Sequence, residues 1–112
     1  MKLLIKLSIF LSLISIYACK GQGYKAPEFN KNAFLVDVRT PEEFAQGSVK
    51  GAINIPLNEL ENQIQKFEGK DTIVVFCRSG SRAATAQDIL ENKGFKNVIN
   101  GGSWQSVNKK LK

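Results

Sequence analysis

The sequence predicts an α/β protein built on a small parallel sheet of about four to five strands, with helices on both faces. Short apolar runs rich in β-branched residues, such as 73–76, alternate along the chain with segments of helical character. Glycines and prolines separate these segments, and the chain contains neither internal repeats nor low-complexity stretches. Strands that alternate with helices form parallel sheets through right-handed crossovers, so we expect both faces to be covered.

Each predicted strand is short and apolar, and the candidates are 34–38, 52–55, 73–76 and 97–100. The first predicted helix begins after the first strand, with Thr40 as its N-cap and Pro41 at its first position. Glu43 then stands where a capping box requires a glutamate. This segment therefore predicts a helix that starts sharply at the carboxyl end of a strand.

Two further helices follow. The second is predicted over 59–67 behind an Asn58 cap, since its apolar residues recur on one helical face. The third is predicted over 83–93 and is closed by Gly94 at C′. The terminal segment is expected to be anchored in the core by Trp104.

Residues 1–18 are predicted to be an export signal rather than part of the domain. Lys2 and Lys6 precede the apolar run 7–18, as in a signal peptide. As a helix this run is about 18 Å long, which is short for a hydrocarbon core of about 30 Å. We therefore expect a cleaved signal and not a permanent transmembrane helix.

The end of this signal, Ile16-Tyr17-Ala18-Cys19, resembles the lipobox of bacterial lipoproteins. The resemblance implies cleavage after Ala18 and a lipid on Cys19, with 19–32 as tether and linker and 33–112 as the domain. The expected location is the cell envelope, anchored to a bacterial membrane and facing the periplasm. The alternative is an ordinary secretory signal that is cut nearby. Cys19 would then keep its thiol, and a disulfide between the two cysteines of the chain would again be an option.

The composition excludes several classes of function. The formal net charge is +6 and the chain has no histidine, which excludes a Cys/His dyad and a His-containing zinc site. With Cys19 lipidated, Cys77 would be the lone free thiol, and one thiolate cannot hold zinc. The lysine excess forms no basic run, so nucleic acid is not an expected partner. We expect a monomer that needs no cofactor or metal.

The segment Cys77-Arg78-Ser79-Gly80-Ser81-Arg82 carries the chemistry of this chain. It connects a buried strand to a helix, which places the thiol where backbone N–H groups and the helix dipole converge. An ordinary cysteine has a pKa of about 8.5 and is mostly protonated at neutral pH, whereas this setting favours the thiolate. Cys77 is therefore the candidate nucleophile, and the alternative is a buried structural cysteine.

The other residues of this loop are candidates for binding a small anion. Arg78 and Arg82 add positive charge, although Arg78 is equally compatible with facing solvent. Gly80 suits a loop that turns with positive φ around the thiol. Ser79 and Ser81 can donate hydroxyl hydrogen bonds, and the alternative for Ser81 is that it only caps the following helix.

Asp37 and Arg39 lie at the carboxyl end of a predicted strand, the edge where parallel α/β sheets bind ligands. The favoured roles are structural and support the site. Arg39 is expected to pair with Glu42 or Glu43, and Asp37 to hold neighbouring loops.

Together these motifs resemble the rhodanese-like sulfurtransferase domain in its small single-domain form. The matching segments are Asp37-Val38-Arg39, Pro41-Glu42-Glu43-Phe44, Gly51-Ala52-Ile53-Asn54-Ile55-Pro56, Cys77 to Arg82, Gly94-Phe95 and Gly101-Gly102. The chain departs from the family at Ser48 and Lys50, where a histidine and a proline often stand. The resemblance implies a three-layer fold and an active-site loop whose last arginine, Arg82, points toward the bound anion. It also implies transfer of sulfane sulfur from thiosulfate or a similar donor, through a Cys77 persulfide, to cyanide or a thiol.

Two other functions remain open at this point. Cysteine-dependent phosphatases and arsenate reductases also use a thiol, a backbone cradle and an arginine, but their loops have one residue more than the four between Cys77 and Arg82. The shorter ring suits a sulfur substituent on Cys77 better than a bulky oxyanion beyond it. A persulfide carrier without turnover would contain the same residues, and turnover with a small free donor would distinguish it from an enzyme.

Overall fold

The computed structural model describes residues 28–112, which form a parallel sheet with helical segments on both faces. In chain order the elements are β1 (Phe34–Asp37), α1 (Pro41–Ala45), β2 (Ile53–Asn54), a 3₁₀ segment (Leu57–Phe67), β3 (Ile73–Cys77), α2 (Ser81–Asn92), β4 (Val98–Ser103) and α3 (Trp104–Lys110). The strand order is β2-β1-β3-β4, and every neighbouring pair is parallel. The predicted α/β fold is confirmed, with four strands in the sheet. The expected signal, its cleavage site and Cys19 lie outside the described residues.

The strands bury side chains on both faces of the sheet, as central parallel strands do. In β3, Ile73, Val75 and Cys77 belong to one core, whereas Val74 and Phe76 belong to the other. The first core is covered by α2 and the 3₁₀ segment, and the second by α3 and the segment that precedes β1. Cys77 therefore lies on the face of the sheet that α2 covers. Within residues 28–112, no helix is long and apolar enough to cross a membrane.

Helix α1 begins as the sequence predicts. Thr40 Oγ1 accepts a hydrogen bond from the Glu43 N–H at 3.2 Å, and Glu43 Oε1 accepts one from the Thr40 N–H at 3.0 Å. This reciprocal pair is the predicted capping box, with Pro41 at the first position of the helix. Because α1 is only five residues long, the cap places the Glu43 carboxylate close to the carboxyl edge of the sheet.

The helix predicted over 59–67 is present, but it consists of 3₁₀ turns that start at Leu57 and break at Gln63. Residues three apart share a face of a 3₁₀ helix, so Leu57 and Leu60 share one face and Ile64 and Phe67 share one face. The break at Gln63, with φ −125° and ψ 26°, separates the two pairs. Both pairs contact the core under α2, and Asn58 is not the cap.

Helix α2 begins two residues earlier than predicted. Its N-cap is Gly80, in a left-handed conformation with no side-chain cap, and Ser81 is the first helical residue. The alternative that Ser81 caps this helix is therefore wrong. At the other end Gly94, with φ +100°, follows the Lys93 C-cap, so the predicted glycine at C′ is confirmed.

Strand β4 continues past its predicted end at Asn100 as far as Ser103. Gly101 makes this possible, because a Cβ there would lie 2.6 Å from Val107 Cγ2 and 3.0 Å from Val74 Cγ1. The missing side chain lets α3 pack closely on the strand from which it departs.

The carboxyl ends of β1 and β3 lie side by side, with Asp37 opposite Phe76 in the parallel register. The loop that follows Asp37 therefore meets the loop that follows Cys77. Ligand sites of parallel sheets form at this edge, and here the edge carries both candidate motifs of the sequence.

Candidate active site

Cys77 is the last residue of β3 and is 1% exposed. Its Sγ accepts hydrogen bonds from the Gly80 N–H at 3.0 Å and from the Ala83 N–H at 3.4 Å. Within the described residues it is a free cysteine. The loop and the first turn of α2 thus curl around a single sulfur atom and point backbone donors at it.

Two opposing effects act on the pKa of the Cys77 thiol. Burial raises this pKa, because a thiolate loses hydration in the interior. The backbone N–H groups of the loop and of α2, with Ala83 contributing most, lower it by hydrogen bonding to the thiolate. The donors outweigh burial, so the pKa of Cys77 lies below its ordinary value. The geometry therefore favours a nucleophilic sulfur.

The loop holds this shape through Gly80 and a partner on β4. Gly80 has φ +101°, a conformation that costs an L-residue about 1–2 kcal/mol. The Asn100 amide donates from Nδ2 to the Gly80 carbonyl at 3.1 Å and accepts on Oδ1 from the Gly102 N–H at 2.9 Å. Sequence reasoning missed Asn100 as a site residue. The sequence feature that could have indicated Asn100 is a polar side chain directly before two glycines at the carboxyl end of a predicted strand.

Arg82 is brought to the site but is held by Glu43. Arg82 Nη1 donates to Glu43 Oε1 at 2.8 Å and Nη2 donates to Oε2 at 3.1 Å. This bidentate pair holds the pKa of Glu43 at about 2, with the Thr40 N–H helping. The hydrogen bonds to Glu43 are the main cause that raises the pKa of Arg82, and the negative charge of Cys77 adds to this effect. The arginine expected to face a bound anion is thus anchored to α1 in this structure.

The predicted pairing of Arg39 with Glu42 or Glu43 is wrong, because Arg39 is buried and bound to Asp37. Its Nε donates to Asp37 Oδ1 at 2.9 Å and its Nη2 to Oδ2 at 2.6 Å. Nη2 also donates to the Gly47 carbonyl at 2.7 Å, and Ser48 Oγ donates to Asp37 Oδ2 at 2.6 Å. Asp37 and Arg39 therefore join the end of β1 to the turn after α1. Ser48, one of the departures from the family pattern, takes part directly.

A cavity of about 360 Å³ opens next to the loop. Arg78 lies on its rim with an exposed side chain, and Arg39 and Glu43 line its wall. Trp104 forms a further wall, with its ring 5.2 Å from the Arg39 guanidinium carbon. Trp104, which the sequence assigned to the core, thus packs on the second core and also faces this cavity.

The two serines of the loop play a smaller part than the sequence suggested. Ser79 and Ser81 are exposed, and neither hydroxyl makes a hydrogen bond within the described residues. Ser79 contributes through its backbone N–H, which lowers the pKa of Cys77. Across residues 28–112, no cluster of three or more potential metal ligands is present.

Comparison with known proteins agrees with this geometry. The profile of the Rhodanese-like domain matches residues 22–110. The chain belongs to the rhodanese-like family. It is 38% identical over 102 residues to a mitochondrial protein of Schizosaccharomyces pombe named as a candidate thiosulfate sulfurtransferase, a match that covers 79% of this chain and 72% of that one.

Two Escherichia coli proteins are also similar. Thiosulfate sulfurtransferase PspE is 38% identical over 74 residues, which cover 64% of this chain and 71% of PspE. The solved structure of an E. coli rhodanese with anions superposes with a TM-score of 0.62 at 37% identity, and the match covers 66% of this chain and 89% of that one. The relatives of this rhodanese-like domain thus include proteins named for sulfur transfer.

Proposed function

We propose that this rhodanese-like domain is a thiosulfate sulfurtransferase. The observation that carries the proposal is the Cys77 sulfur, lowered in pKa and surrounded by the backbone donors of Gly80 and Ala83. The homologues named for this activity support it. Because the donors point at Sγ itself, the site favours a sulfur atom bonded to Cys77 over a larger oxyanion held beyond it.

The reaction has two half-reactions, as covalent catalysis requires. In the first, the Cys77 thiolate attacks the outer sulfur of thiosulfate, the S–S bond of thiosulfate breaks, and sulfite leaves with the electron pair. Cys77 is then a persulfide. In the second, cyanide attacks the terminal sulfur, the persulfide S–S bond breaks, and thiocyanate leaves the Cys77 thiolate free. A thiol acceptor would instead leave as a persulfide.

Intact mass spectrometry after incubation with thiosulfate tests the first half-reaction. The protein is expected to gain the mass of one sulfur atom, Cys77→Ser to gain nothing, and Cys19→Ser to gain it as the wild type does. The last variant is the matched control, because these are the two cysteines of the chain. Persulfide on Cys77→Ser would refute the assignment. Persulfide on the wild type without thiocyanate production from cyanide would indicate a carrier instead of an enzyme.

We also propose that the domain is attached to a bacterial membrane through a lipid on Cys19. The lipobox-like segment Ile16-Tyr17-Ala18-Cys19 supports this. Each buried CH₂ of an acyl chain contributes about 0.8 kcal/mol, and two or more chains give stable attachment. Metabolic labelling with a fatty acid and membrane fractionation test the proposal. Labelled, membrane-bound wild type and unlabelled Cys19→Ser are expected, whereas an unlabelled, freely soluble wild type would refute it.

A further inference from the structure

A second cavity, of about 470 Å³, lies away from the catalytic loop. Three exposed lysines line it, Lys31, Lys50 and Lys112, while Val49 and Leu111 contribute apolar surface. No aspartate or glutamate lines the cavity. We call this surface the basic cavity. Its combination of ammonium groups around apolar side chains suits a ligand that carries anionic groups on an apolar layer.

The topology places the basic cavity away from the edge that carries Cys77. Lys31 precedes the amino end of β1, and Lys112 follows the end of α3. Helix α3 leaves β4 at the carboxyl edge, and after it Leu111 lines the same cavity as Lys50, which precedes the amino end of β2. The chain has thus returned toward the amino edge of the sheet where the cavity forms. A surface docked at the basic cavity leaves the catalytic loop accessible.

The chain that leads back to Cys19 leaves the domain next to this cavity. Phe29 and Leu111 pack against the same core, and the Lys110 ammonium lies 5.4 Å from the Phe29 ring centroid. Eight residues lie between Cys19 and Glu28, and such a segment spans at most about 30 Å when fully extended. Any attachment at Cys19 therefore lies within about 30 Å of Glu28, where the described chain begins beside the basic cavity.

We propose that the basic cavity is the face that this domain turns toward an anionic lipid bilayer, with Lys31, Lys50 and Lys112 contacting lipid phosphates. The inference adds to the lipid attachment proposed above, and it is independent of sulfur transfer. It accounts for three lysines gathered around one cavity at the end of the domain where the tether begins. It also assigns an orientation, with the Cys77 loop directed away from the membrane.

Vesicle binding by the full-length chain tests this proposal. All variants carry Cys19→Ser so that no acyl chain contributes, and the vesicles contain phosphatidylcholine with or without phosphatidylglycerol. The apolar run 7–18 is the same in every variant, so the measurement compared between variants is the ratio of binding to anionic over neutral vesicles. Each lysine near an anionic surface contributes about a fivefold preference at low salt. Changing all three to glutamine is expected to lower the ratio by roughly a hundredfold.

The matched control changes Lys66, Lys93 and Lys96 to glutamine, three exposed lysines on the side of the 3₁₀ segment and α2. Both triple variants lose the same charge, so only position distinguishes them. The control is expected to keep most of the anionic preference, and both variants to keep wild-type thiosulfate:cyanide activity in solution. That activity reports on the sulfurtransferase proposal separately from vesicle binding.

Two results would overturn the membrane-facing assignment. One is an equal loss of anionic preference in the two triple variants, which would mean that net charge alone is sensed. The other is suppression of vesicle binding by soluble glycerol phosphate at concentrations matching the lipid phosphate, which would mean that the cavity holds a small phosphate ligand. A loss confined to the Lys31, Lys50 and Lys112 variant, weakened further by added salt, supports the proposal.

Discussion

Arg82, in the first turn of α2, and Glu43, in α1, form a bidentate ion pair across the carboxyl edge of the sheet, with N···O distances of 2.8 and 3.1 Å. The same carboxylate accepts the Thr40 N–H that begins α1. One side chain therefore caps the first helix and holds an arginine of the loop that follows Cys77. Helix α1 follows β1 and helix α2 follows β3, and these two strands are neighbours. The ion pair therefore connects the loop after β1 with the loop after β3.

Glu43→Gln is expected to lower the free energy of unfolding near neutral pH and to flatten its dependence on acid. The folded pKa of Glu43 is depressed from 4.5 to about 2, so its contribution is complete above pH 4.5 and disappears as the pH falls toward 2. The side chains of the pair are 34% and 28% exposed, so we expect a loss of about 1 kcal/mol or less. Denaturant titrations over this pH range measure it. Glu42→Gln changes an exposed neighbour that belongs to neither ion pair of residues 28–112, so it is the control and should behave as the wild type.

Arg82→Gln is expected to impair the use of thiosulfate more than Arg78→Gln. Glu43 is the main cause of the raised pKa of Arg82, and the negative charge of Cys77 adds to it, so the guanidinium lies near the Cys77 sulfur. Arg78 is exposed on the cavity rim. Loss of a charged hydrogen-bond donor costs about 1.5–3 kcal/mol, roughly ten- to a hundredfold in kcat/KM for thiosulfate. Equal and slight effects in steady-state assays would show that the backbone N–H groups suffice to hold the anion.

Gly80→Ala is expected to raise the pKa of the Cys77 thiol. At φ +101° an alanine is strained, and relief of the strain moves the Gly80 N–H away from a sulfur that it contacts at 3.0 Å. The rate of alkylation by iodoacetamide as a function of pH reports the thiol pKa. Gly69→Ala is the control, since Gly69 has φ +79° and no atom within 4 Å of the added Cβ. An unchanged midpoint in Gly80→Ala would assign the lowered pKa to the other loop donors.

Asp37→Asn is expected to destabilise the domain far more than Ser48→Ala. Asp37 is 0% exposed and Arg39 is 5% exposed, so neutralising the carboxylate leaves a buried guanidinium without its counter-charge. Breaking a buried pair in this way costs about 3–5 kcal/mol. Ser48→Ala removes one hydrogen bond to the same carboxylate and should cost about 1 kcal/mol. Denaturant midpoints compare the two variants, and similar losses would mean that solvent reaches Arg39.

Local patterns predicted much of this protein because their causes are local. The capping box at Thr40 depends on residues three positions apart, and the glycine at C′ of α2 depends on the φ of one residue. The periodicity of apolar residues predicted a helix near residues 57–67 but not its 3₁₀ type. There the apolar spacing is compatible with two helix types, and packing against the core decides between them.

By itself, the sequence determined the α/β class, the parallel sheet and the position of the Cys77 loop between a strand and a helix. Each of these follows from short-range alternation of apolar, β-branched and turn-forming residues. Only the tertiary structure decided which charges pair. Three arginines and three carboxylates lie near one sheet edge, and spacing alone favoured Arg39 with Glu42 or Glu43. Arg39 is buried beneath the turn at Gly47, where it pairs with Asp37. The parallel register of β1 and β3 places Arg82 close enough to pair with Glu43.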